Sequence, residues 1–465
     1  MNKILEQIKA KQKLIAHELE NDPRIAEAKK LLLDTVDDYR SKITGIRPPS
    51  AELKASYQEI IEAFNEIRGG KLWYPYIGSG IGNGALVELL DGSIKYDFIS
   101  GIGPHYWGHS HHDIIDTGID AAISNTVMQG HLQQNADSIV FSEMLVKASG
   151  LNHCFLTTSG AMANENALKI ALQKNYPAHR ILAFDHCFAG RTLAISQITD
   201  KPAYRKGLPS NLQVDYIPFF DETRPKESTK EAVAALKHLL ERYPKQHAVM
   251  IMEMIQGEGG FYPGSHDFFS TIMRILKEHH IAIFADEVQT FGRTSQLFAY
   301  QHFKLQEYID IATIGKLSQV CATLFTKEYR PQSGLLSQTF TGSTSVIRAA
   351  TVILNSLLTE GYFGLNGHIE ATHRYFVEKF NELANKYPER FEGPYGIGSM
   401  IAFTPHGGDP AKVLQFSHDL YDAGVISFIA GSHTKRIRFL IPVGAIKRQD
   451  IDNVVAIIEK VLNRS

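Results

Sequence analysis

The sequence predicts an α/β protein: a large domain on a mostly parallel, seven-stranded sheet, with a smaller α+β domain. Three observations lead there. From about residue 150, short β-branched apolar runs alternate with helix-period segments, the pattern of strands joined by crossover helices. Those runs are apolar at consecutive positions, as strands buried on both faces are. Finally, 465 residues exceed what one simple core holds, so a second domain is expected.

Residues 1–70 read as a helical extension. Ile4, Ile8, Ile15 and Leu19 form one stripe, which Ile25, Ala28, Leu32 and Val36 continue beyond Pro23. Arg47-Pro-Pro-Ser50 interrupts it, and Ile60, Ile61, Phe64 and Ile67 mark a further helix. Such a stretch is expected to pack on its own fold or on a partner subunit. Residues 71–115 open the small domain, with strands at Leu86–Leu90 and Ile94–Phe98 turned at Asp91-Gly92. Gly78-Ser-Gly80-Ile-Gly82-Asn-Gly84 resembles a dinucleotide loop but is followed by a strand pattern, so it is expected to be a flexible loop.

The large domain, residues 116–345, carries strand candidates at Cys154–Thr157, Ile181–Phe184, Val214–Ile217, Ala248–Met252, Ile281–Ala285, Ile311–Ile314 and Cys321–Phe325. Helix candidates between them include Ala161–Gln173, Lys230–Tyr243 and Asp267–His280. Residues 346–465 turn helical, add short strands and close on a helix near Asp450–Leu462, completing the small domain.

Composition excludes several classes. A hydrophobic content of 44% with 21% charged residues is that of a globular chain rather than a disordered one. A net charge of -2, with no basic block, gives no case for nucleic acid. No window approaches the roughly 20 apolar residues that cross a bilayer, and the N-terminus lacks a secretory apolar core. Cys154, Cys187 and Cys321 are odd in number and widely spaced, which suits buried thiols in the cytoplasm. His105, His109, His111 and His112 crowd one segment, but nothing makes them converge, and no metal site is expected.

Chemistry concentrates where strands end. The run Ile281–Ala285 leads into Asp286, and Ile311–Ile314 leads into Gly315-Lys316. In a doubly wound sheet, ligands sit beyond the carboxyl ends of the strands. A carboxylate and a lysine there suit pyridoxal phosphate, whose aldehyde condenses with an amine and whose ring nitrogen needs an acid to stay protonated. Thr157-Thr-Ser159-Gly160-Ala161 crosses from strand to helix and offers backbone amides and a helix dipole to a phosphate, or is simply a capped turn. In Phe188-Ala-Gly-Arg191 the ring suits stacking and the guanidinium suits a carboxylate, or packing and a surface ion pair.

Taken together, these segments resemble the class III pyridoxal-phosphate-dependent aminotransferases, the group of ornithine, acetylornithine, 4-aminobutyrate and lysine 6-aminotransferases. The resemblance runs from about residue 71 to the C-terminus. It rests on Ser159-Gly-Ala-Met-Ala-Asn-Glu165, Phe188-Ala-Gly-Arg191, Glu253-Met-Ile-Gln-Gly-Glu-Gly-Gly260, Asp286-Glu-Val-Gln289 with Phe291-Gly-Arg293, Gly315-Lys316, Thr339-Phe-Thr-Gly342 and Ile437-Arg-Phe439. It implies the type I fold of pyridoxal-phosphate transferases and a homodimer.

It also implies roles. Lys316 resembles the Schiff-base lysine, and Asp286 the partner of the ring nitrogen. Val288 and Phe188 match the residues that sandwich the ring, and Gln289 the one that bonds its hydroxyl. Ser159, Gly160 and Ala161 match the phosphate turn, and Thr339 a contact supplied by the second subunit. Arg191 and Arg438 match carboxylate-binding arginines, with Glu258 as the partner of Arg438. The implied reaction is ping-pong amine transfer from an amino acid, through a distal amine, to 2-oxoglutarate.

The chain departs from the family at several positions. Met162 replaces an acid, Met254 a proline, Ala189 a histidine and Ser343-Thr344 an Asn-Pro pair, while Leu317–Cys321 replaces a glycine-rich run. Gln319-Val-Cys321 is similar to lysine 6-aminotransferases. Alternatives are an aminomutase, a racemase or a decarboxylating enzyme of the same fold, or an idle homologue acting as an interaction protein.

Overall fold

A computed structural model describes residues 14–125, 130–431 and 434–464. The expected stripe positions Ile4 and Ile8 lie outside the described residues. Contacts divide the chain into two units, one built mainly of Asp120–Glu370 with Gly396–Gly398, the other of Ala16–Ile119, Ala371–Tyr395 and residues from Ser399 onward. The expected boundary after residue 345 falls instead after Glu370. The reason is that the helix Thr344–Thr359 belongs to the first unit, where Arg348 Nε ion-pairs with Asp137 at 3.2 Å.

The first unit is a seven-stranded sheet: β1 (His153–Thr157), β2 (Arg180–Phe184), β3 (Gln213–Ile217), β4 (His247–Met252), β5 (Ala282–Glu287), β6 (Ile311–Ile314) and β7 (Cys321–Phe325). Their order is β1-β7-β6-β5-β4-β2-β3. Only β7 runs against its neighbours β6 and β1; β6, β5, β4, β2 and β3 pair in parallel. The reversal follows from chain length. Parallel neighbours need a long crossover, whereas only residues 315–320 separate β6 from β7, enough for an antiparallel return. Every residue of β4, β5 and β6 is buried, as their unbroken apolar runs require. The helix Gly160–Lys174 packs Ala163, Ala167, Leu168, Ile170 and Ala171 onto the sheet.

The second unit holds two four-stranded sheets. In one, Gly78–Asn83 pairs antiparallel with Leu86–Leu89. The glycine-rich run is therefore a strand, not the expected flexible loop. Leaving out side chains lets it lie close to its surroundings, since a Cβ at Gly82 would strike the Leu86 carbonyl. Leu86–Leu89 and Ile94–Asp97 form the expected hairpin, with Gly92 at φ +77° in its turn. The other sheet, in the order Phe391–Tyr395, Met400–Pro405, Arg436–Leu440 and Phe428–Ala430, carries Arg438.

The extension forms helices Ile15–Glu20, Pro23–Arg40 and Lys54–Arg68. Their inward faces differ from the expected stripes. In Pro23–Arg40 the buried residue is Leu33, while Leu32 is 53% exposed. Polar contacts turn the helix: Lys29 pairs with Asp116 at 2.9 Å, Asp37 with His112 at 2.8 Å, and Arg40 reaches Asn83 at 3.4 Å. In Lys54–Arg68, Tyr57 and Ile61 face inward, leaving Ile60, Phe64 and Ile67 exposed. Among the described residues no helix is long and apolar enough to cross a membrane.

Candidate active site

The carboxyl ends of five parallel strands gather the residues that matter. β1 leads to Ser159-Gly160, β2 to Phe188, β4 to Glu253, β5 ends on Asp286 and Glu287, and β6 leads to Lys316. Parallel register sets Asp286 beside Thr313 and Glu287 beside Ile314, so Asp286 and Lys316 stand at adjacent strand ends. Lys316 heads the short return between β6 and β7. Its backbone lies at φ +52°, the left-handed region, and Gln319 follows at +58°. A side chain there costs about 1–2 kcal/mol, a strain that the buried strands on both sides must hold.

Asp286 is buried at 6% exposure, and both carboxylate oxygens are engaged. The Val288 N–H donates to Oδ1 at 3.0 Å and the Asn164 amide to Oδ2 at 2.7 Å. Asn164 is itself fixed: it donates to the Ala189 carbonyl at 2.8 Å and accepts from the Thr313 hydroxyl at 2.7 Å. Burial pushes Asp286 up to about 6, against the pull of these donors and the charge of Lys316. Glu253 follows the same logic. Burial and the neighbouring Asp286 push it up to about 8, although it accepts from the N–H groups of Phe188 at 2.9 Å and Gly257 at 3.0 Å and feels Lys316. Asp286 and Glu253 thus both lie within reach of the Lys316 charge.

Two close approaches tie the turns together. A Cβ on Gly160 would come within 2.6 Å of Val288 Cγ1, and one on Gly315 within 3.1 Å of the same atom. Val288 therefore packs against both the Ser159–Ala161 turn and the lysine loop. Ser159 caps the helix Gly160–Lys174 by accepting from the Met162 N–H at 3.2 Å. Gly190, at φ +128°, lies against Ala161, and the Thr199 hydroxyl bonds the N–H groups of Ala189 and Gly190. Gln289 is buried against Gly257, where a side chain has no room.

Sequence reasoning overlooked two neighbours of the named residues. Lys201 Nζ lies 2.7 Å from Glu258 Oε1, and the Arg191 guanidinium lies over the Tyr204 ring at 4.0 Å. Thr339 is exposed, with its backbone against Gly130. Arg438, in the second unit, is 2% exposed and lies 5.3 Å from the Phe428 ring centre. His109 bonds Asp97 at 3.0 Å and His111 stacks on Trp107, which accounts for the histidine-rich segment by packing and hydrogen bonds. Cys154, Cys187 and Cys321 form no disulfide.

The model of the class III aminotransferases matches residues 79–462. The chain belongs to this family. Class III aminotransferases depend on pyridoxal phosphate, and this chain is an enzyme of that kind. Its fold is similar to the lysine aminotransferase of M. tuberculosis in the internal aldimine form, at 23% identity over 87% of this chain and 99% of that one, TM-score 0.78. It is similar to a Bacillus anthracis aminotransferase at 18% identity, 88% and 99% coverage, TM-score 0.77. The ornithine aminotransferase of Toxoplasma gondii ME49 matches at 21% identity, 89% and 99% coverage, TM-score 0.75.

The residues fit the cofactor. Asp286 accepts two hydrogen bonds and is pushed upward by burial, so a protonated ring nitrogen beside it would offset the cost of its buried charge. Gly160 and Ala161 are small residues at the start of a long helix, the kind of terminus whose backbone N–H groups suit an anion.

Proposed function

We propose that this aminotransferase moves the amine of an amino acid, through a distal amino group as in lysine, ornithine, acetylornithine or 4-aminobutyrate, to 2-oxoglutarate. The observation that carries this reading is the placement of Asp286 and Lys316 at adjacent strand ends inside one buried charge cluster.

When bound, pyridoxal phosphate supplies an aldehyde that condenses with amines and a protonated ring that takes up electrons from the substrate carbon. In this reading Asp286 holds the proton on the ring nitrogen, and its burial strengthens that interaction. Asn164 and the Val288 N–H keep its oxygens aimed. Lys316 Nζ is the amine that would hold the cofactor and, once a substrate amine has displaced it, the base that would take the proton from the substrate carbon. Val288 and Phe188 enclose the ring, Gln289 bonds its hydroxyl, and the N–H groups of Gly160 and Ala161, with Ser159, hold the phosphate. Arg191 is read as the residue that grips the substrate carboxylate bidentately, Glu258 as one that serves the distal end, and Arg438 as a further carboxylate-binding arginine. The exposed Thr339 is read as a contact given to the second subunit of a homodimer, and the thiols support a cytoplasmic enzyme.

Borohydride reduction of the cofactor-loaded enzyme, followed by peptide mapping, tests the assignment. The cofactor mass is expected on Lys316; its appearance on another lysine overturns the reading. Glutamate formation across the four amino donors then names the substrate.

A further inference from the structure

Arg191, Tyr204, Lys201 and Glu258 form one connected set of charges at the rim of the large sheet. Tyr204 carries the Arg191 guanidinium on its ring face at 4.0 Å, a cation–π contact. Its hydroxyl lies 3.5 Å from Glu258 Oε1, and Lys201 Nζ lies 2.7 Å from that oxygen. The Lys201 and Glu258 side chains are each only 14% exposed, so this pair is shielded rather than screened. Both ends reach the catalytic cluster, because Glu253 accepts N–H bonds from Phe188, three residues before Arg191, and from Gly257, which precedes Glu258. Glu258 itself sits in the turn of a small hairpin, Ile255–Gln256 with Tyr262–Pro263. Among the described residues Arg191 has no acidic partner, whereas the Glu258 charge is met by Lys201.

We propose that Lys201 and Tyr204 determine which carboxylates this site accepts. Tyr204 holds Arg191 flat for the first carboxylate of a substrate. Lys201 cancels the charge of Glu258, so that a second carboxylate on the same molecule meets a neutral pair instead of a like charge. The ligand class is a dicarboxylate, an oxo acid charged at both ends. Lys201 acts here through Glu258 and is a positioning residue. The inference rests on the proposed function, since it deepens the reading of Arg191 and Glu258.

Glutarate, a dicarboxylate that cannot react, is the binding probe. Titrated calorimetrically into the holoenzyme, it is expected to bind about tenfold more weakly to Lys201→Met, equivalent to about 1.4 kcal/mol. Lys201→Arg should recover binding to within about threefold. The kcat/KM ratio for 2-oxoglutarate over pyruvate should fall about tenfold in Lys201→Met. In a Glu258→Gln background, Lys201→Met should change glutarate binding less than about threefold, because no charge remains to cancel. Tyr204→Leu should raise KM for both oxo acids alike, while Tyr204→Phe should not. The inference is overturned if Lys201→Met binds glutarate as the wild type does, or if its loss is the same with and without the Glu258 carboxylate. A wild type that moves no amine from any donor defeats the proposed function instead; an active wild type with an indifferent Lys201→Met defeats only this inference.

Discussion

Replacing Asn164 with alanine tests the design of the buried acid. Its amide donates to Asp286 Oδ2 and to the Ala189 carbonyl, and its oxygen accepts from Thr313. A hydrogen bond to a charged group contributes about 1.5–3 kcal/mol. Since about 1.36 kcal/mol corresponds to one pKa unit, losing the bond moves Asp286 from about 6 into roughly the 7–8 range in the cofactor-free protein. The direction is upward because the bond favours the ionised form. At pH 7 the carboxyl then changes from mostly ionised to half neutral or more, and cofactor affinity should drop by about two- to tenfold, in proportion to the ionised fraction that remains. Infrared difference spectroscopy can follow the carboxyl band against pH, with Asp286→Asn identifying it. A band that still titrates near the wild-type midpoint, with unchanged cofactor affinity, refutes the reasoning.

Gly160→Ala should weaken cofactor binding, because its Cβ would lie 2.6 Å from Val288 Cγ1 and overpacking of this kind costs about 1–3 kcal/mol. Val288→Ala in the same chain should restore part of the loss, and absence of rescue would place the strain elsewhere. Glu287 offers a pH test. Burial pushes it up to about 7 despite bonds from Thr290, Ala299 and Tyr300. The folded state therefore keeps a proton that the unfolded chain has released. Its contribution is full below the unfolded value of 4.5 and is lost as pH rises toward about 7. The melting temperature of the cofactor-free wild type should fall across that window relative to Glu287→Gln; parallel curves would contradict it.

Much of this molecule is legible in the sequence, for a physical reason. β4, β5 and β6 are buried on both faces, so their apolar runs mark them within a residue or two, and the groups at their ends stand out by contrast. Pro225 at the start of Pro225–Arg242 shows the limit: the helix begins five residues before the expected Lys230, where polar residues carry no stripe. The extension misled because hydrophobic period assumes that apolar residues choose the inward face. Here Lys29, Asp37 and Arg40 choose it through ion pairs and hydrogen bonds, and Leu32 is left outside. Lys201 was invisible for another reason. Lys201-Pro202 reads locally as a solvated turn, and only the fold brings it to Glu258, 57 residues away. Asn164 lay inside a recognised motif, yet its bonds span 122 and 149 residues and no local pattern encodes them.

The single reversed strand has a consequence for how the enzyme is made. β1 sits at the edge of its sheet, and its one neighbour there is β7, more than 160 positions later in the chain. A nascent polypeptide that has emerged only as far as the lysine loop thus has the amine proposed to anchor the cofactor but nothing to dock the strand that leads to Ser159 and Gly160. Synthesis must proceed through Phe325 before the two ends of the cradle meet, so a fragment truncated just upstream should bind the vitamin poorly even though it retains Asp286 and Lys316.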